Sequence, residues 1–349
     1  MKPGAHRRQC LLIGLDGRLT RRLRRTSPAW VAPIARAALI ALAALLASTA
    51  AAEAVQEPSS TSAEDLEEII VTGREPRYVA ATQRDRIGRI WAPVLINGRG
   101  PFKLVLDTGA THSGVTAVVA DMLGIPVDVS PPIVLHGVTG SGIVPTIRVD
   151  TLSVGDLDVN SQILPILADA FGGAQGVLGA EGLAGKRIFV DFQHDRILIT
   201  YSHGEKPAYG FVAVPFRAAR GALIRIDALV GNVRTTAIID TGAQTTMANL
   251  ALREALRREA GSAVGEHDQI EGVTLDVKDG VLAPTPRITV GGLIIQNARV
   301  TFADMAIFDQ WRMHREPTLI IGMDVLGLFD TLIIDYRRHE LQIRRAGVL

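Results

Sequence analysis

From residue 86 onward the chain is written in short runs of alternating apolar and polar residues, interrupted by glycine-rich turns. Leu152-Ser153-Val154-Gly155-Asp156-Leu157 is typical, and such alternation predicts half-buried antiparallel strands. Two hairpins stand out. Arg89-Ile90-Trp91-Ala92-Pro93-Val94-Leu95-Ile96 turns at Asn97-Gly98-Arg99-Gly100 and returns through Phe102-Lys103-Leu104-Val105-Leu106. Leu223-Ile224-Arg225-Ile226-Asp227-Ala228-Leu229-Val230 turns at Gly231-Asn232 and returns through Thr236-Ala237-Ile238-Ile239. Each returning strand is apolar at its end and delivers one carboxylate into the same tetrapeptide, Asp107-Thr108-Gly109-Ala110 and Asp240-Thr241-Gly242-Ala243. One such Asp reads as turn chemistry at a strand end. Two in the same setting predict a pair that meets in space.

The likeness extends well past the tetrapeptides. A short helical stretch follows each, Val115–Leu123 and Met247–Glu259. Gly137-Val138-Thr139 then lies 30 residues past Asp107, and Gly272-Val273-Thr274 lies 32 past Asp240. Val177-Leu178-Gly179 is matched by Ile320-Ile321-Gly322. The repeats close on similar strand pairs, Phe189-Val190-Asp191-Phe192 with Arg196–Ile199 and Ile333-Ile334-Asp335-Tyr336 with Glu340–Ile343. Ordered self-similarity of this kind defines the architecture. The body is a tandem repeat, with an N-terminal lobe over 86–203 and a C-terminal lobe over 204–349, joined near Tyr201–Tyr209. Each half is long enough to bury a core of its own. The fold class expected is all-β, mainly antiparallel with short helices, as two β-barrel-like lobes related by a pseudo-two-fold axis.

Symmetry places equivalent points of the lobes together at that axis, so the two Asp loops face one another. Carboxylates at hydrogen-bonding distance cannot both ionise; they share a proton and titrate as a pair. Such a pair supplies a base for a bound water and an acid for the carbonyl that the water attacks. Thr108 and Thr241 can donate hydroxyl bonds to the opposite loop. Gly109 and Gly242 allow a sharp turn that brings backbone N–H groups to the carboxylates.

Two copies of hydrophobic-hydrophobic-Asp-Thr-Gly-Ala, each followed by hydrophobic-hydrophobic-Gly, resemble the retropepsin-like and pepsin-like aspartic proteases. The likeness covers residues 86–349 and implies a bilobal acid-protease fold and peptide-bond hydrolysis, with Asp107 and Asp240 as the catalytic dyad. Thr108, Gly109, Thr241 and Gly242 would support the active-site loops. Val177-Leu178-Gly179 and Ile320-Ile321-Gly322 would thread behind them. A flap over the cleft would be formed by Gly137, Val138, Thr139 and Gly140, within His136–Gly142, with Ile270–Gly280 as a weaker counterpart. The resemblance implies a peptide or protein substrate, no cofactor, no metal, a monomer, and inhibition by statine-type peptides such as pepstatin. Ala110 and Ala243 stand where pepsin-like enzymes carry Ser or Thr, which is similar to retroviral proteases and predicts a less acidic optimum than pepsin's. The first flap lacks Tyr. The chain looks like a fused, single-chain form of a dimer whose members contribute one Asp each. A non-catalytic peptide-binding protein on the same fold is the alternative.

Charge and composition add an address. The 349 residues are 47% hydrophobic and 21% charged with a formal net charge of +1, ordinary for a globular protein. Residues 1–52 hold nine Lys or Arg and the single acid Asp16, so the rest of the chain is acidic on balance. An acidic body argues against nucleic acid as a partner. The basic segment precedes an apolar core, Ala37–Ala47, and small residues that fit an A-x-A cleavage site at Ala50–Ala54. That layout predicts a signal peptide over 1–52 and a bacterial periplasmic or secreted protein. A retained membrane anchor is the other reading, although the core is shorter than the roughly 20 residues a span needs. Cys10 is the only cysteine and precedes that core, so the body has no disulfide.

Residues 53–85, rich in Glu, Ser, Thr and Gln, predict a flexible acidic linker. Within it, Leu66-Glu67-Glu68-Ile69-Ile70-Val71-Thr72-Gly73 resembles the energy-coupling box of TonB-dependent outer-membrane receptors, and reads equally as a short adhesive strand. The seven body histidines (112, 136, 194, 203, 267, 314 and 339) have no H-E-x-x-H spacing, and His112, five residues past Asp107, reads as a surface residue, with tuning of the Asp pair as the alternative. Arg253, Glu254, Arg257, Arg258 and Glu259 read as a solvated helix face. Phe171-Gly172-Gly173-Ala174 reads as a loop near the cleft. No Walker loop, dinucleotide fingerprint or G-x-S-x-G elbow occurs.

Overall fold

The computed structural model describes Ile69–Thr72 and residues 90–345, apart from 128–129, 169–172, 195, 220–222 and 262. The proposed signal peptide, most of the 53–85 linker and Phe171-Gly172 lie outside these residues.

The first lobe is a six-stranded closed barrel. Around it run Trp91–Ile96, Arg99–Leu106, Gly176–Leu178, Gly114–Thr116, Leu157–Leu167 and Ser141–Val154, and the last pairs back onto the first through Leu95↔Ser153 and Ile96↔Leu152. Ser130–His136 extends the long Ser141–Val154 strand into a projecting hairpin. Alternation produces the buried face, as in Trp91–Ile96, where Ala92, Val94 and Ile96 are buried and Pro93 and Leu95 are exposed. Most pairings are antiparallel. The exceptions here are Arg99–Leu106 with Gly176–Leu178 and Gly114–Thr116 with Leu157–Leu167.

The second lobe repeats this order with Leu223–Val230, Val233–Ile239, Thr318–Ile321, Met247–Ala248, Arg299–Phe302 and Val277–Pro284. Its closing strand is broken. Where the first lobe has one 14-residue strand, the second has Val277–Pro284, then Pro286, then Ile288–Val290. Prolines lack the N–H that a continuous ladder requires. The ring is completed by chain continuity, since Ile288–Val290 pairs with Leu223–Val230.

A third, fully antiparallel sheet joins the lobes in the order Arg196–Tyr201, Lys186–Asp191, Phe329–Asp335, Glu340–Arg345 and Val212–Pro215. The look-alike closing pairs of the two repeats are therefore neighbours in one sheet, with Phe189 opposite Ile333. One hydrophobic core runs through both barrels and this sheet. A smaller one, including Ile270, Met305, Ile307 and Phe308, lies in the second lobe.

The two helices after the Asp loops begin later than the sequence suggested, at Ala117 and Leu250. Gly114–Thr116 and Met247–Ala248 are instead short strands inserted between barrel neighbours. Barrel pairing overrides helix propensity there. The second helix starts where Asn249 caps it, its side chain accepting the Leu252 N–H at 2.9 Å. Arg253, Glu254, Arg257, Arg258 and Glu259 lie on its exposed face. Within the linker, Ile69–Thr72 forms a strand, parallel to Leu293–Gln296.

Candidate active site

Each Asp is placed by a parallel strand pair. Arg99–Leu106 runs beside Gly176–Leu178, and the Asp107 N–H donates to Leu178 O at 2.9 Å. Val233–Ile239 runs beside Thr318–Ile321, and the Asp240 N–H donates to Ile321 O at 3.1 Å. Both apolar strands are buried at this end, so they carry the carboxylates into the interior between the lobes. The hydrophobic-hydrophobic-Gly segments thus lie directly behind the loops. Beyond the Asp residues the match continues, with Ala180 N–H on Ala110 O and Met323 N–H on Ala243 O, both at 2.9 Å.

The two threonines interlock across the axis. Thr108 Oγ1 donates to Ile239 O at 2.7 Å and accepts the Thr241 N–H at 3.1 Å. Thr241 Oγ1 donates to Leu106 O at 2.7 Å and accepts the Thr108 N–H at 3.1 Å. Both side chains are buried. All four polar groups are satisfied by the opposite lobe, so neither loop is complete alone. Within each loop the carboxylate folds back on its own turn. Asp107 Oδ1 accepts from Gly109 and Ala110 N–H at 2.8 and 2.9 Å, and Asp240 Oδ1 from Gly242 and Ala243 N–H at 2.8 and 3.1 Å.

The glycines have a steric reason that outweighs turn geometry. A Cβ on Gly109 would collide with the Asp240 carboxylate, and one on Gly242 with that of Asp107. Each glycine thus leaves room for the other lobe's acid, and the two carboxylates come into hydrogen-bonding contact. Burial and the neighbouring Asp240 charge push the Asp107 carboxyl well above the usual carboxylate range. Burial also raises Asp240, while the Gly242 and Ala243 N–H groups and the bond from Asp107 pull it back. Two buried acids this close cannot both ionise, so they share one proton and titrate as a pair.

Above the pair lies a cleft of about 1170 Å³, bordered by residues of both lobes including Ile90, Leu135, Val138, Ile270, Ile307 and Trp311. Gly137–Gly140 forms the tip of the Ser130–Val154 hairpin, closed by the Gly137 N–H on Gly140 O at 2.8 Å. The opposing hairpin is Glu266–Glu271 with Val277–Pro284, paired over six residues. The tips touch: Gly137 packs on Val273 and Thr274, Gly140 on Asp276, and Gly272 on Thr139. Val138 O accepts the Ile307 N–H at 3.3 Å, and its side chain packs against the second lobe's smaller core. Val138 borders the cleft, whereas Thr139 is buried at the junction of the tips. His112 is exposed at the cleft's edge and makes no contact with the carboxylates among the described hydrogen bonds.

A supporting layer lies behind both loops. Thr246 Oγ1 accepts the Gly322 N–H at 3.2 Å and donates to Asp324 Oδ1 at 2.7 Å, while Asp324 Oδ2 accepts the Thr246 N–H at 3.0 Å. In the first lobe Ser113 Oγ accepts the Gly179 N–H at 3.0 Å, and Glu181 Oε1 accepts the Ser113 N–H at 2.6 Å. Burial raises the Asp324 carboxyl above its ordinary value. The signal was present in the repeat: a hydroxyl six residues after each Asp and an acid two residues after each glycine.

This is a two-lobed β fold with a proton-sharing aspartate pair on its pseudo-two-fold axis. A family model described as aspartyl protease matches residues 92–181 and 226–325, once in each lobe and over more than half of the chain. The chain belongs to the aspartyl protease family. Among solved structures it is similar to an aspartic proteinase from Irpex lacteus, at 14% identity over 75% of this chain and 96% of that one, with a TM-score of 0.41. It is also similar to conglutin gamma from lupine seeds, at 11% identity over 73% and 90%, with a TM-score of 0.38. A search of curated protein sequences found no match.

Proposed function

We propose that the protein is an exported aspartic endopeptidase that cleaves an extended peptide in the cleft between the lobes, with Asp107 and Asp240 as its catalytic pair. The observation that carries this reading is the close approach of the two carboxylates, locked by reciprocal threonine bonds. A structural role gives no reason to bury two mutually repelling acids at one point.

In this reading Asp107 holds the shared proton and Asp240 is ionised. A water between the carboxylates loses a proton to Asp240 as its oxygen attacks the scissile carbonyl carbon. Asp107 gives its proton to the carbonyl oxygen, and a tetrahedral gem-diol results without a covalent intermediate. On collapse, Asp240 passes its proton to the leaving nitrogen, the C–N bond breaks, and Asp107 recovers a proton from the diol. The flaps would close over the bound chain and exclude solvent. Raised carboxyls on both sides favour a working range less acidic than free carboxylates would give.

Export rests on the basic segment and apolar core of residues 1–52. Among the described residues no helix is long and apolar enough to cross a membrane. The decisive experiment is cleavage of a peptide library between pH 3 and 8 by wild type, Asp107→Asn and Asp240→Asn, with and without pepstatin, alongside fractionation of the producing cells. Cleavage that vanishes in both variants is expected. Wild-type protein that binds library peptides but cuts none would establish the peptide-binding alternative, and activity surviving both substitutions would remove the pair from the mechanism.

A further inference from the structure

The proposed function leaves one motif unused, the apolar segment Ile69-Ile70-Val71-Thr72 in the linker. It is a strand lying parallel to Leu293–Gln296, with Ile69 beside Leu293 and Thr72 beside Gln296. The chain then enters the first lobe at Ile90, so this segment attaches the N-terminal extension to the lobe that follows last in sequence.

The pseudo-symmetric position in the first lobe shows what is special here. Val154-Gly155-Asp156-Leu157-Asp158-Val159-Asn160 aligns with Val290-Gly291-Gly292-Leu293-Ile294-Ile295-Gln296, each forming the turn and second strand of a hairpin. In the first lobe the edge carries Asp158 and Asn160, both exposed, and among the described residues no strand pairs with its outer side at Leu157–Asn160. Polar and charged residues are how an open edge resists further pairing. In the second lobe Asp158 is replaced by Ile294, and Leu293, Ile294 and Ile295 are all buried. The guarded edge is bare and the unguarded edge is occupied.

We propose that the outer edge of Leu293–Gln296 is a second peptide-docking site, outside the cleft, that accepts an extended apolar segment by strand addition and is filled by the chain's own Ile69–Thr72. Backbone hydrogen bonds to an open edge supply the affinity in this mode, and apolar side chains supply the selectivity. The site is independent of the aspartate pair, and its test does not use cleavage.

The full chain is compared with Val71→Pro, which removes a strand N–H and distorts the ladder without touching the body. Hydrogen exchange is followed at Leu293–Gln296. The variant is expected to exchange there at least about tenfold faster, and a synthetic peptide spanning Leu66–Gly73 is expected to restore protection where a scrambled peptide does not. Ile294→Asp, which copies the first lobe's guard, is expected to abolish that restoration. Protection that is unchanged in Val71→Pro, or that the peptide fails to restore, would overturn the proposal. Protection in the wild type that rises with protein concentration would also overturn it, because the occupant would then be a second copy.

Discussion

Asp191 and Asp335 sit at matching points of the two repeats, each at the end of a strand in the shared sheet, yet they meet different surroundings. Both accept the N–H groups two and three residues ahead, from Gln193 and His194 and from Arg337 and Arg338. That much is local turn chemistry and repeats faithfully. Asp191 is half-buried, and a bond from the exposed His194 holds it below the usual carboxylate range. Asp335 is fully buried, takes two bonds from the Ser202 hydroxyl, and pairs with Arg187 of the other repeat at 3.1 Å. The barrels diverge in the same way, one closed by a continuous strand and the other by a strand broken around Pro284 and Pro286. At the axis the divergence stops. The crossed threonine bonds agree between the lobes to a tenth of an ångström. The repeats remain alike where each half must complete the other, and drift where each half can settle its own packing.

The strongest way to break that comparison is at the pair itself. Asp107→Asn and Asp240→Asn should each reduce kcat/KM by at least about 10³-fold, because the proposed mechanism puts general acid and base on different lobes and needs both. Peptide cleavage across the pH range checks it. If one variant kept a tenth of the activity, the two halves would not be equivalent parts of one site. Next in size comes the contrast away from the axis. Asp335→Ala strips the partner from a nearly buried Arg187 and should cost about 3–5 kcal/mol, whereas Asp191→Ala breaks an exposed pair and should cost less than about 1 kcal/mol. Urea unfolding of the two variants measures the difference. Equal losses would mean that the interlobe ion pair contributes no more than a turn does.

Much of this was legible in the sequence because the repeat is itself a measurement. One Asp-Thr-Gly-Ala is ambiguous, but two at matching offsets predicted the two-lobe fold, the facing aspartates and the crossed threonines. What remained hidden depends on contacts that a linear pattern does not encode. The short strands at Gly114 and Met247 carry apolar residues that suit helix or strand, and only their insertion between barrel strands decides. Glu266–Glu271 is polar and lacks the glycines of His136–Gly142, so its own pattern carries little sign of the hairpin; its partner is the other hairpin's tip. Ser113 with Glu181, and Thr246 with Asp324, were in the repeat but carried no chemical signature until the loops were folded against them.

The interlock offers a smaller but sharper test. Thr108→Val and Thr241→Val each remove a hydroxyl that donates to one buried carbonyl and accepts one buried N–H. Unpaired groups of this kind cost about 1–3 kcal/mol each, so both variants should lose stability by similar amounts. Serine at either position keeps the hydroxyl and should recover most of the loss. Chemical unfolding of the four variants is the measurement. Unequal losses would show that one lobe holds its loop without the other.

The smallest effect separates two carboxylates that the fold treats almost alike. Burial raises both carboxyls, so the folded protein binds a proton at the pair more readily than the unfolded chain. For a carboxyl raised on folding, the favourable contribution is complete below the unfolded value, about 3.9, and is lost as pH rises through the folded value. At neutral pH the pair therefore opposes folding. Asp107→Asn removes that opposition and should raise the melting temperature at pH 7 by a few degrees, since about 1 kcal/mol moves a domain of this size by roughly 2–4 °C. The gain should shrink toward zero near pH 3, where the wild-type carboxyl is already protonated. Asp240→Asn should follow the same course with a smaller gain, because in the proposed mechanism its carboxyl is the ionised partner of the pair. Melting curves of the three proteins between pH 3 and 8 decide the matter. A larger gain from Asp240→Asn would place the proton on the second lobe and exchange the roles of acid and base.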